Sequence, residues 1–257
     1  MNIIGIIPAR MGSSRFPGKP LAKIHGIPMI GHVLLRSKMC KCLNEVYVAT
    51  CDEEIAGYIG YLGAKAVMTA DTHERASDRA AEAMLKIEID SGKSIDVVVM
   101  IQGDEPMLHP EMIEESIKPI LEDPLIQVVN LMAPLKTREE HNDPNEVKVV
   151  TDQSGFALYF SREAIPSWKK GAKSLPMLKQ VCIIPFRRDF LLKFNALPPR
   201  PLEVAESVDM LRVLEHGYRV KMVLTKYDSY SVDTEEGLKR VERLLESDPV
   251  FQKYRLK

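Results

Sequence analysis

The sequence predicts an α/β protein with a doubly wound, mostly parallel sheet and a smaller antiparallel extension. In the first half of the chain, short apolar segments alternate with helical segments, and residues 96–102 form the most strongly apolar of them. Strands that alternate with helices are typical of parallel sheets with both faces covered. From about residue 126 the alternation gives way to strand-like segments separated by turn signals, which favours antiparallel pairing.

The elements of the first half follow from hydrophobic spacing, helix caps and turn residues. Residues 2–7 are rich in β-branched side chains and predict a buried strand that breaks at Pro8. Asp52 is placed to cap a helix that Gly63 ends. The predicted strands are 2–7, 45–50, 66–69 and 96–102, and the predicted helices are 29–39, 53–62, 77–89 and 110–121.

The second half contains more strands and fewer helices. Residues 168–178 are basic and irregular. The predicted strands are 127–134, 146–151, 156–161, 180–186 and 220–225, and the predicted helices are 201–216 and 234–246. We therefore assign residues 1–125 and 200–257 to the α/β core. Residues 126–199 form the antiparallel extension, which we expect to cover one side of a cleft or to pair with a second subunit.

Composition excludes several classes of protein. With 35 basic and 36 acidic residues among 257, nothing indicates a nucleic-acid or membrane-surface binder. The N-terminus lacks the pattern of a signal peptide, and no apolar segment approaches the ~20 residues that span a bilayer. The four cysteines lack paired zinc-site spacing, so we expect them to be reduced in a cytoplasmic protein.

The loop after the first predicted strand is a candidate polyphosphate site. It holds Arg10, Arg15 and Lys19, separated by glycine and serine residues. Cations and free backbone N–H groups at the carboxyl end of a strand suit an anionic ligand. The spacing is not that of a Walker loop, and Pro20 after Lys19 has no N–H to offer. A solvated basic loop is the alternative.

Two aspartates are candidate magnesium ligands. Asp104 follows the most apolar strand, and Asp233 lies in a loop between a strand and a helix. Magnesium is usually held by one or two carboxylates together with substrate phosphates and water. Turn formation by Asp104 and helix capping by Asp233 are the alternatives. His73 stands in a polar cluster before a helix, where a structural hydrogen-bonded histidine is the alternative to a functional one.

Taken together, these motifs resemble those of the 3-deoxy-manno-octulosonate cytidylyltransferases, or CMP-Kdo synthetases. The resemblance extends from residue 2 to about residue 245. It rests mainly on the pattern Arg-x-x-x-Ser-Arg-x-Pro-Gly-Lys-Pro-Leu over residues 10–21 and on Gln-Gly-Asp-Glu-Pro over residues 102–106. Further matches are Pro8-Ala9-Arg10, His73, Arg79, Val147-Lys148-Val149, Ala157-Leu158-Tyr159-Phe160-Ser161-Arg162 and Val232-Asp233-Thr234.

The resemblance implies a Rossmann-like nucleotidyltransferase fold and a cytoplasmic, magnesium-dependent enzyme that is usually a homodimer. Such an enzyme joins CTP to an acidic sugar, a 3-deoxy-ulosonic acid, and releases pyrophosphate, which activates the sugar for lipopolysaccharide synthesis. Residues 126–199 would then form the sugar side of the cleft and a dimer contact.

The resemblance also implies a role for each matching residue. The implied catalytic residues are Arg10, Lys19, Asp104 and Asp233, of which the two aspartates hold magnesium. The implied nucleotide-binding residues are Pro8, Ala9, Arg10, Ser14, Arg15, Lys19, His73, Ser77, Arg79 and Gln102. The implied sugar-binding residues are Gln102, Gln180, Ile184, Glu203, Glu206 and Met210.

The sugar half departs from the family pattern. Gln180, Ile184 and Met210 stand where members of the family typically have polar His, Tyr and Gln, and His73 is followed by an extra charge pair, Glu74 and Arg75. Such changes in a hydroxyl-binding pocket can shift substrate preference by orders of magnitude. The acceptor is therefore Kdo, a modified Kdo such as an amino-substituted one, or another anionic acceptor such as a phosphonate or a nonulosonic acid. A non-catalytic nucleotide-binding regulator is the alternative from another class.

Overall fold

A computed structural model of the protein describes residues 1–12, 16–171 and 174–255. They belong to two units, Met1–Glu114 with Ser229–Lys257, and Glu115–Asp228. The chain therefore enters the second unit within a helix and returns to the first unit for its last segment. No helix in the described ranges is both long and apolar enough to cross a membrane.

The first unit is built on a parallel sheet. Its strands are β1 (Ile3–Ala9), β2 (Lys23–Ile24), β3 (Ile27–Pro28), β4 (Glu45–Thr50), β5 (Lys65–Met68) and β6 (Val97–Ile101). Its helices are α1 (Met29–Ser37), α2 (Glu53–Tyr61), α3 (Ala76–Ser91), the start of α4 (Pro110–Glu122) and, after the second unit, α9 (Glu235–Leu245). Strands β6, β1, β4 and β5 lie side by side in that order and run parallel, while β2 and β3 form a short hairpin.

The buried strands β1 and β6 explain why this sheet is parallel. Every residue of both strands is buried, as expected for strands covered on both faces. Strand β1 continues through Pro8 to Ala9, two residues beyond its predicted end at residue 7. Its pairing with β6 ends at Ile6, so Pro8 extends the strand along β4 alone. The carboxyl ends of β1 and β6 therefore lie at the same edge of the sheet.

The second unit contains the antiparallel extension. Its strands are β7 (Val129–Pro134), β8 (Lys148–Thr151), β9 (Ala157–Ser161), β10 (Leu178–Val181), β11 (Ile183–Arg187) and β12 (Lys221–Leu224). Its complete helices are α5 (Arg138–Asn142), α6 (Arg188–Ala196), α7 (Pro201–Glu206) and α8 (Met210–Glu215). Strands β7, β10, β8 and β9 pair antiparallel in that order, and β12 joins the other edge of β7 in parallel. The predicted fold class, a mixed α/β protein with a parallel-rich sheet and an antiparallel extension, is confirmed.

Several elements differ from their predicted form. The single helix predicted over residues 201–216 is two short helices, because Ser207 adopts a left-handed conformation with φ of 52° and ends the first of them. The strand predicted over residues 180–186 is divided at Cys182 into β10 and β11. Helices α5 and α6 were not predicted.

Asp52 occupies the N-cap position of α2, but its side chain makes no capping hydrogen bond. The four cysteines are free.

The second unit is larger than the extension predicted over residues 126–199. It begins at Glu115 and includes everything up to Asp228. The pairing of β12 with β7 explains the later end, since it places residues 221–224 in the sheet of the second unit rather than in the core. The predicted sugar-binding and dimer-contact roles of this region stay predictions.

Candidate active site

A cleft of about 330 Å³ opens in the first unit beside the carboxyl ends of β1 and β6. This is where open α/β sheets bind their ligands, because loops diverge there and leave backbone groups accessible. Its lining comes from the loop after β1, the start of α3, the loop after β6 and the residue before the cap of α9. The lining residues are Pro8, Ala9, Arg10, Gly12, Lys19, Pro20, His73, Glu74, Arg75, Ala76, Arg79, Gln102, Gly103, Asp104 and Asp233.

Lys19 joins the two aspartates of the cleft. Its Nζ lies 2.8 Å from Asp104 Oδ2 and 3.1 Å from Asp233 Oδ1. Gly18, with φ of 73°, turns the chain into the short 3₁₀ helix Lys19–Leu21 and so presents this side chain. Burial alone would lower the pKa of Lys19, but the charges and hydrogen bonds of the two carboxylates raise it above its ordinary value. Lys19 is therefore a cation between two anions.

The loops that carry these aspartates are hydrogen-bonded to one another. The backbone N–H of Val232 donates to the carbonyl oxygen of Asp104 over 2.9 Å. The hydroxyl of Ser229 donates to the buried carboxylate of Glu105. These contacts place the two aspartates together, although they lie far apart in sequence.

Arg79 is a buried cation that also lines the cleft. Only 2% of the residue is exposed, and its Nη1 donates to Thr69 Oγ1 over 2.5 Å. Its buried Nη2 has no hydrogen-bond partner within the described part of the chain. Buried polar groups are normally paired, so an unpaired guanidinium nitrogen on a residue that lines the cleft favours an anionic or carbonyl-bearing ligand nearby.

His73 is held in place by Glu82. The Nε2 of His73 contacts the Glu82 carboxylate, which also accepts the backbone N–H of Ala70 over 3.0 Å. Partial burial would raise the pKa of Glu82, but hydrogen bonds from Lys86, Ala70 and His73 lower it to about 2. The carboxylate is therefore charged at neutral pH and orients the imidazole ring. The carbonyl oxygen of His73 in turn accepts Arg10 Nη1 over 3.4 Å.

Comparison with known proteins identifies the family. The cytidylyltransferase family model matches residues 4–224. The 3-deoxy-manno-octulosonate cytidylyltransferase of Geotalea uraniireducens is 44% identical over 255 residues, which cover 95% of this chain and 99% of the relative. This chain belongs to the 3-deoxy-manno-octulosonate cytidylyltransferase family. Another relative of the same name, from Syntrophotalea carbinolica, is 43% identical and covers 94% of this chain and 98% of its own.

Solved structures agree with this assignment. The structure of a CMP:2-keto-3-deoxy-manno-octonic acid synthetase complexed with CTP matches with a TM-score of 0.88 and 37% identity, over 96% of this chain and 99% of that one. A 4-diphosphocytidyl-2C-methyl-D-erythritol synthase from Anaerococcus prevotii matches with a TM-score of 0.63 at 13% identity, over 95% and 98% of the two chains. This second match shows the fold alone.

Most residues predicted for the nucleotide half of this cytidylyltransferase meet in the cleft. They are Pro8, Ala9, Arg10, Lys19, His73, Arg79, Gln102, Asp104 and Asp233. Ser77 is fully buried near the start of α3 and does not line the cleft. The predicted Ser14 and Arg15 lie outside the described residues. The structure thus brings the two predicted metal ligands and three predicted cations to one place.

The residues predicted for the sugar half, other than Gln102, lie in the second unit. Gln180 Nε2 donates to Asn130 Oδ1 over 2.6 Å, and Ile184 and Met210 are buried. Glu203 is fully buried and forms a two-point ion pair with Arg212, at 2.7 Å and 2.6 Å. This pairing gives Glu203 a structural role in the second unit.

Glu206 has several partners of its own. Its carboxylate accepts the hydroxyl of Ser161 over 2.7 Å and the backbone N–H of Arg162 over 2.8 Å. It also accepts the hydroxyl of Tyr159 over 3.3 Å. Partial burial would raise the pKa of Glu206, but these hydrogen bonds lower it. Contact of these second-unit residues with a sugar stays a prediction.

Several residues that support the site were not predicted. Glu82 orients His73, Thr69 binds Arg79, and Ser229 binds Glu105 beside Asp104. Each of these contacts joins residues from different elements or loops, so no short sequence pattern predicts it. Only the family pattern of the loops themselves was visible in the sequence.

Proposed function

We propose that this protein transfers the cytidylyl group of CTP to a 3-deoxy-ulosonic acid, giving a CMP-sugar and pyrophosphate. The observation that carries the proposal is the convergence of Asp104, Asp233 and Lys19 in a cleft at the carboxyl ends of β1 and β6. Relatives named for this activity align over nearly the whole chain, at up to 44% identity. The sugar product would serve lipopolysaccharide synthesis.

Magnesium is the proposed cofactor, and the residues of the cleft fit it. Among the residues described, no three or more His, Cys, Asp and Glu side chains form a metal-binding group. Asp104 and Asp233 supply two carboxylates that already lie around one cation. Magnesium typically takes one or two protein carboxylates and completes its shell with substrate phosphates and water. When bound there, it would neutralise phosphate charge and lower the pKa of the acceptor hydroxyl.

The cationic side chains of the cleft would stabilise negative charge on the phosphates and position the nucleotide. In the proposed reaction the acceptor hydroxyl oxygen attacks the α-phosphorus of CTP and gives up its proton to water, and the bond from that phosphorus to the pyrophosphate oxygen breaks. Lys19 and Arg10 would stabilise the charge that builds on the departing pyrophosphate, and Arg79, which lines the same cleft, would help to position the nucleotide. A direct transfer needs no covalent enzyme intermediate.

The residues predicted to contact the acceptor are where this chain departs from the family pattern. The names of the relatives support Kdo. Gln180, Ile184 and Met210 stand where the family pattern has other polar residues, and this difference supports a modified Kdo. An amino-substituted Kdo is therefore the second candidate, and a phosphonate or a nonulosonic acid the third.

The test is pyrophosphate release by the purified full chain with magnesium. CTP is compared with ATP, GTP and UTP, and Kdo with an amino-substituted Kdo, a nonulosonic acid and a phosphonate. We expect release only with CTP, and with a 3-deoxy-ulosonic acid as the acceptor. Binding of CTP without release for any acceptor would support the non-catalytic regulator instead, and failure to bind CTP would refute both.

We further propose that the protein is a cytoplasmic homodimer, as the family resemblance implies. Sedimentation equilibrium at micromolar concentration would give twice the chain mass of 29.0 kDa. A mass of one chain at that concentration would refute the dimer, and recovery of the native protein in a membrane fraction would refute the location.

A further inference from the structure

We infer that Lys19 forms ion pairs with both Asp104 and Asp233 in the nucleotide-free protein and so prevents a divalent cation from binding there. When nucleotide phosphates are bound, the ammonium of Lys19 contacts them instead, and the two carboxylates become available to the cation. Nucleotide and metal would then bind in a coupled way, because one side chain serves both ligands. This inference rests on the proposed function, since it uses the same two carboxylates.

The geometry of the three side chains supports this role. Lys19 Nζ is within hydrogen-bonding distance of one oxygen from each carboxylate, at 2.8 Å and 3.1 Å. The Lys19 side chain is 13% exposed, and those of Asp104 and Asp233 are 25% and 27% exposed. Ion pairs that are buried to this extent interact more strongly than ion pairs on the surface, because less solvent screens their charges.

Backbone contacts that do not involve Lys19 join the loops that carry the two carboxylates. The hydrogen bond from Val232 to Asp104 joins their loops, and Thr234 caps α9 by accepting the N–H of Gly237 over 3.1 Å. Two carboxylates held close repel each other unless a cation lies between them. The ammonium of Lys19 supplies that cation, and it competes with any divalent cation for the same oxygens.

A nucleotide triphosphate changes this balance. Lys19 lies on the loop that follows β1 and lines the same cleft as Arg10 and Arg79. Polyphosphate oxygens in this cleft are alternative acceptors for its ammonium. Once Lys19 turns to them, both carboxylates are open to the metal, which the phosphates also bind. Thermodynamic linkage then requires that metal strengthens nucleotide binding by the same factor.

The structure therefore assigns Lys19 a second role besides the proposed contact with phosphates, which is competition with the divalent cation for the two carboxylates. A lysine that only bound phosphates would, when removed, weaken nucleotide binding and leave the metal affinity of the free protein unchanged. A lysine that competes with the metal would, when removed, strengthen metal binding in the absence of nucleotide. The two possibilities therefore predict different changes in the metal affinity of the nucleotide-free protein when Lys19 is replaced, no change in the first case and an increase in the second.

The experiment titrates Mn²⁺ alone, without nucleotide, into the full-length protein and follows free Mn²⁺ by electron paramagnetic resonance. We expect Lys19→Met and Lys19→Gln to bind Mn²⁺ at least about tenfold more tightly than the wild type, as removal of a competing charge from a sheltered site predicts. Lys23→Met is the matched control, because Lys23 is an exposed lysine four residues away that does not line the cleft, and its Mn²⁺ affinity should equal that of the wild type.

Two further measurements show where the Mn²⁺ binds and whether each variant is folded. Adding Asp104→Asn to Lys19→Met should abolish the gain, which locates the bound Mn²⁺ at the carboxylates. Thermal unfolding of each variant shows that it is folded, and Lys19→Gln serves as the second variant should Lys19→Met not fold. Mn²⁺ affinities of the folded Lys19 variants that equal or fall below that of the wild type would overturn the inference.

The proposed function is tested separately by the wild type with CTP present. If the wild type binds Mn²⁺ with CTP but the Lys19 variants gain no affinity without it, the inference alone fails. If the wild type binds no Mn²⁺ even with CTP, the metal role in the proposed function fails.

Discussion

The carboxylate of Asp52 accepts the backbone N–H of Met11 over 2.8 Å, which connects the end of β4 to the loop that follows β1. The carbonyl oxygen of the same Met11 accepts the N–H of Gly18 over 3.2 Å. The N–H and the carbonyl oxygen of Met11 are therefore both hydrogen-bonded, one to the N-cap residue of α2 and the other to Gly18 near the end of the loop. Arg10 and Lys19 flank the closed loop, so their positions depend on it.

Removing the Asp52 acceptor should weaken nucleotide binding. We expect Asp52→Ala to raise the KM for CTP about tenfold with a smaller effect on kcat, because a lost hydrogen bond of about 1.4 kcal/mol loosens the loop before CTP binds. Asp52→Asn keeps a carbonyl acceptor and should stay near the wild type. Steady-state pyrophosphate release at varied CTP measures both, and an unchanged KM in Asp52→Ala would show that the loop does not depend on this anchor.

Neutralising one carboxylate of the cleft should remove most of the activity. Asp104→Asn keeps the size of the side chain but loses the charge that attracts magnesium, so we expect turnover to fall about 100-fold or more. Circular dichroism should show an intact fold. The matched control is Asp90→Asn, an exposed aspartate near the end of α3, which should keep full turnover. Near-normal activity in Asp104→Asn would contradict the metal role.

The contact between His73 and Glu82 should affect catalysis through the orientation of the ring. Glu82→Ala releases the imidazole and should lower kcat/KM about tenfold, the effect of one misplaced hydrogen-bonding group. Glu82→Gln restores a hydrogen-bonding side chain and should recover part of the loss. The measurement is kcat/KM for CTP, and thermal unfolding of each variant separates a misplaced ring from a general loss of stability. Equal kcat/KM values in all three proteins would refute the orienting role.

Arg36 and Asp248 form a buried ion pair that should be essential for stability. Arg36 is fully buried, its Nη2 contacts Asp248, and its Nη1 donates to the carbonyl oxygen of Leu108 over 3.2 Å. Removing one partner leaves a buried charge unpaired, so Asp248→Asn should lower the free energy of unfolding by about 3–5 kcal/mol. Urea denaturation measures this change. The exposed pair of Lys65 with Glu45 is the control, and Lys65→Met should cost no more than about 1 kcal/mol.

His32 should make the protein less stable in acid. The imidazole is buried, and its two ring nitrogens lie 2.9 Å from the carbonyl oxygen of Ile24 and 2.8 Å from the hydroxyl of Tyr254. Burial lowers the pKa of His32 from 6.5 to about 4; the hydrogen bond to Ile24 opposes this shift and the charge of Arg36 adds to it.

The sign of this effect follows from proton uptake. Between pH 6.5 and 4 the unfolded chain binds a proton at His32 that the folded protein does not, so the free energy of unfolding falls as the pH falls, by up to about 1.4 kcal/mol per pH unit. His32→Gln should flatten this slope in urea titrations, and the control His216→Gln, in the second unit, should not. An unchanged slope in His32→Gln would contradict the effect.

The cleft shows which parts of a site a sequence can predict. Loops such as residues 10–21 and 102–106 carry compact patterns of charge and glycine, and their place after apolar strands predicts that they meet at one edge of the sheet. Asp104 and Asp233 were predicted as partners on that ground, and both lie against Lys19. The contacts of Glu82 with His73 and of Asp52 with Met11 could not be predicted, because a carboxylate on a helix or at a helix cap has many possible partners.

By itself the sequence determined most of the strands and helices of the first unit, the parallel character of its sheet and the loops that bear the cations and carboxylates. Hydrophobic spacing and turn residues act over a few neighbours, so they can be recognised without the fold. The tertiary structure alone decided that the 201–216 helix divides at Ser207, that Glu203 is paired with Arg212, and that Lys19 lies between the two aspartates. Those outcomes depend on which side chains burial brings together across long stretches of chain, and no local pattern encodes that choice.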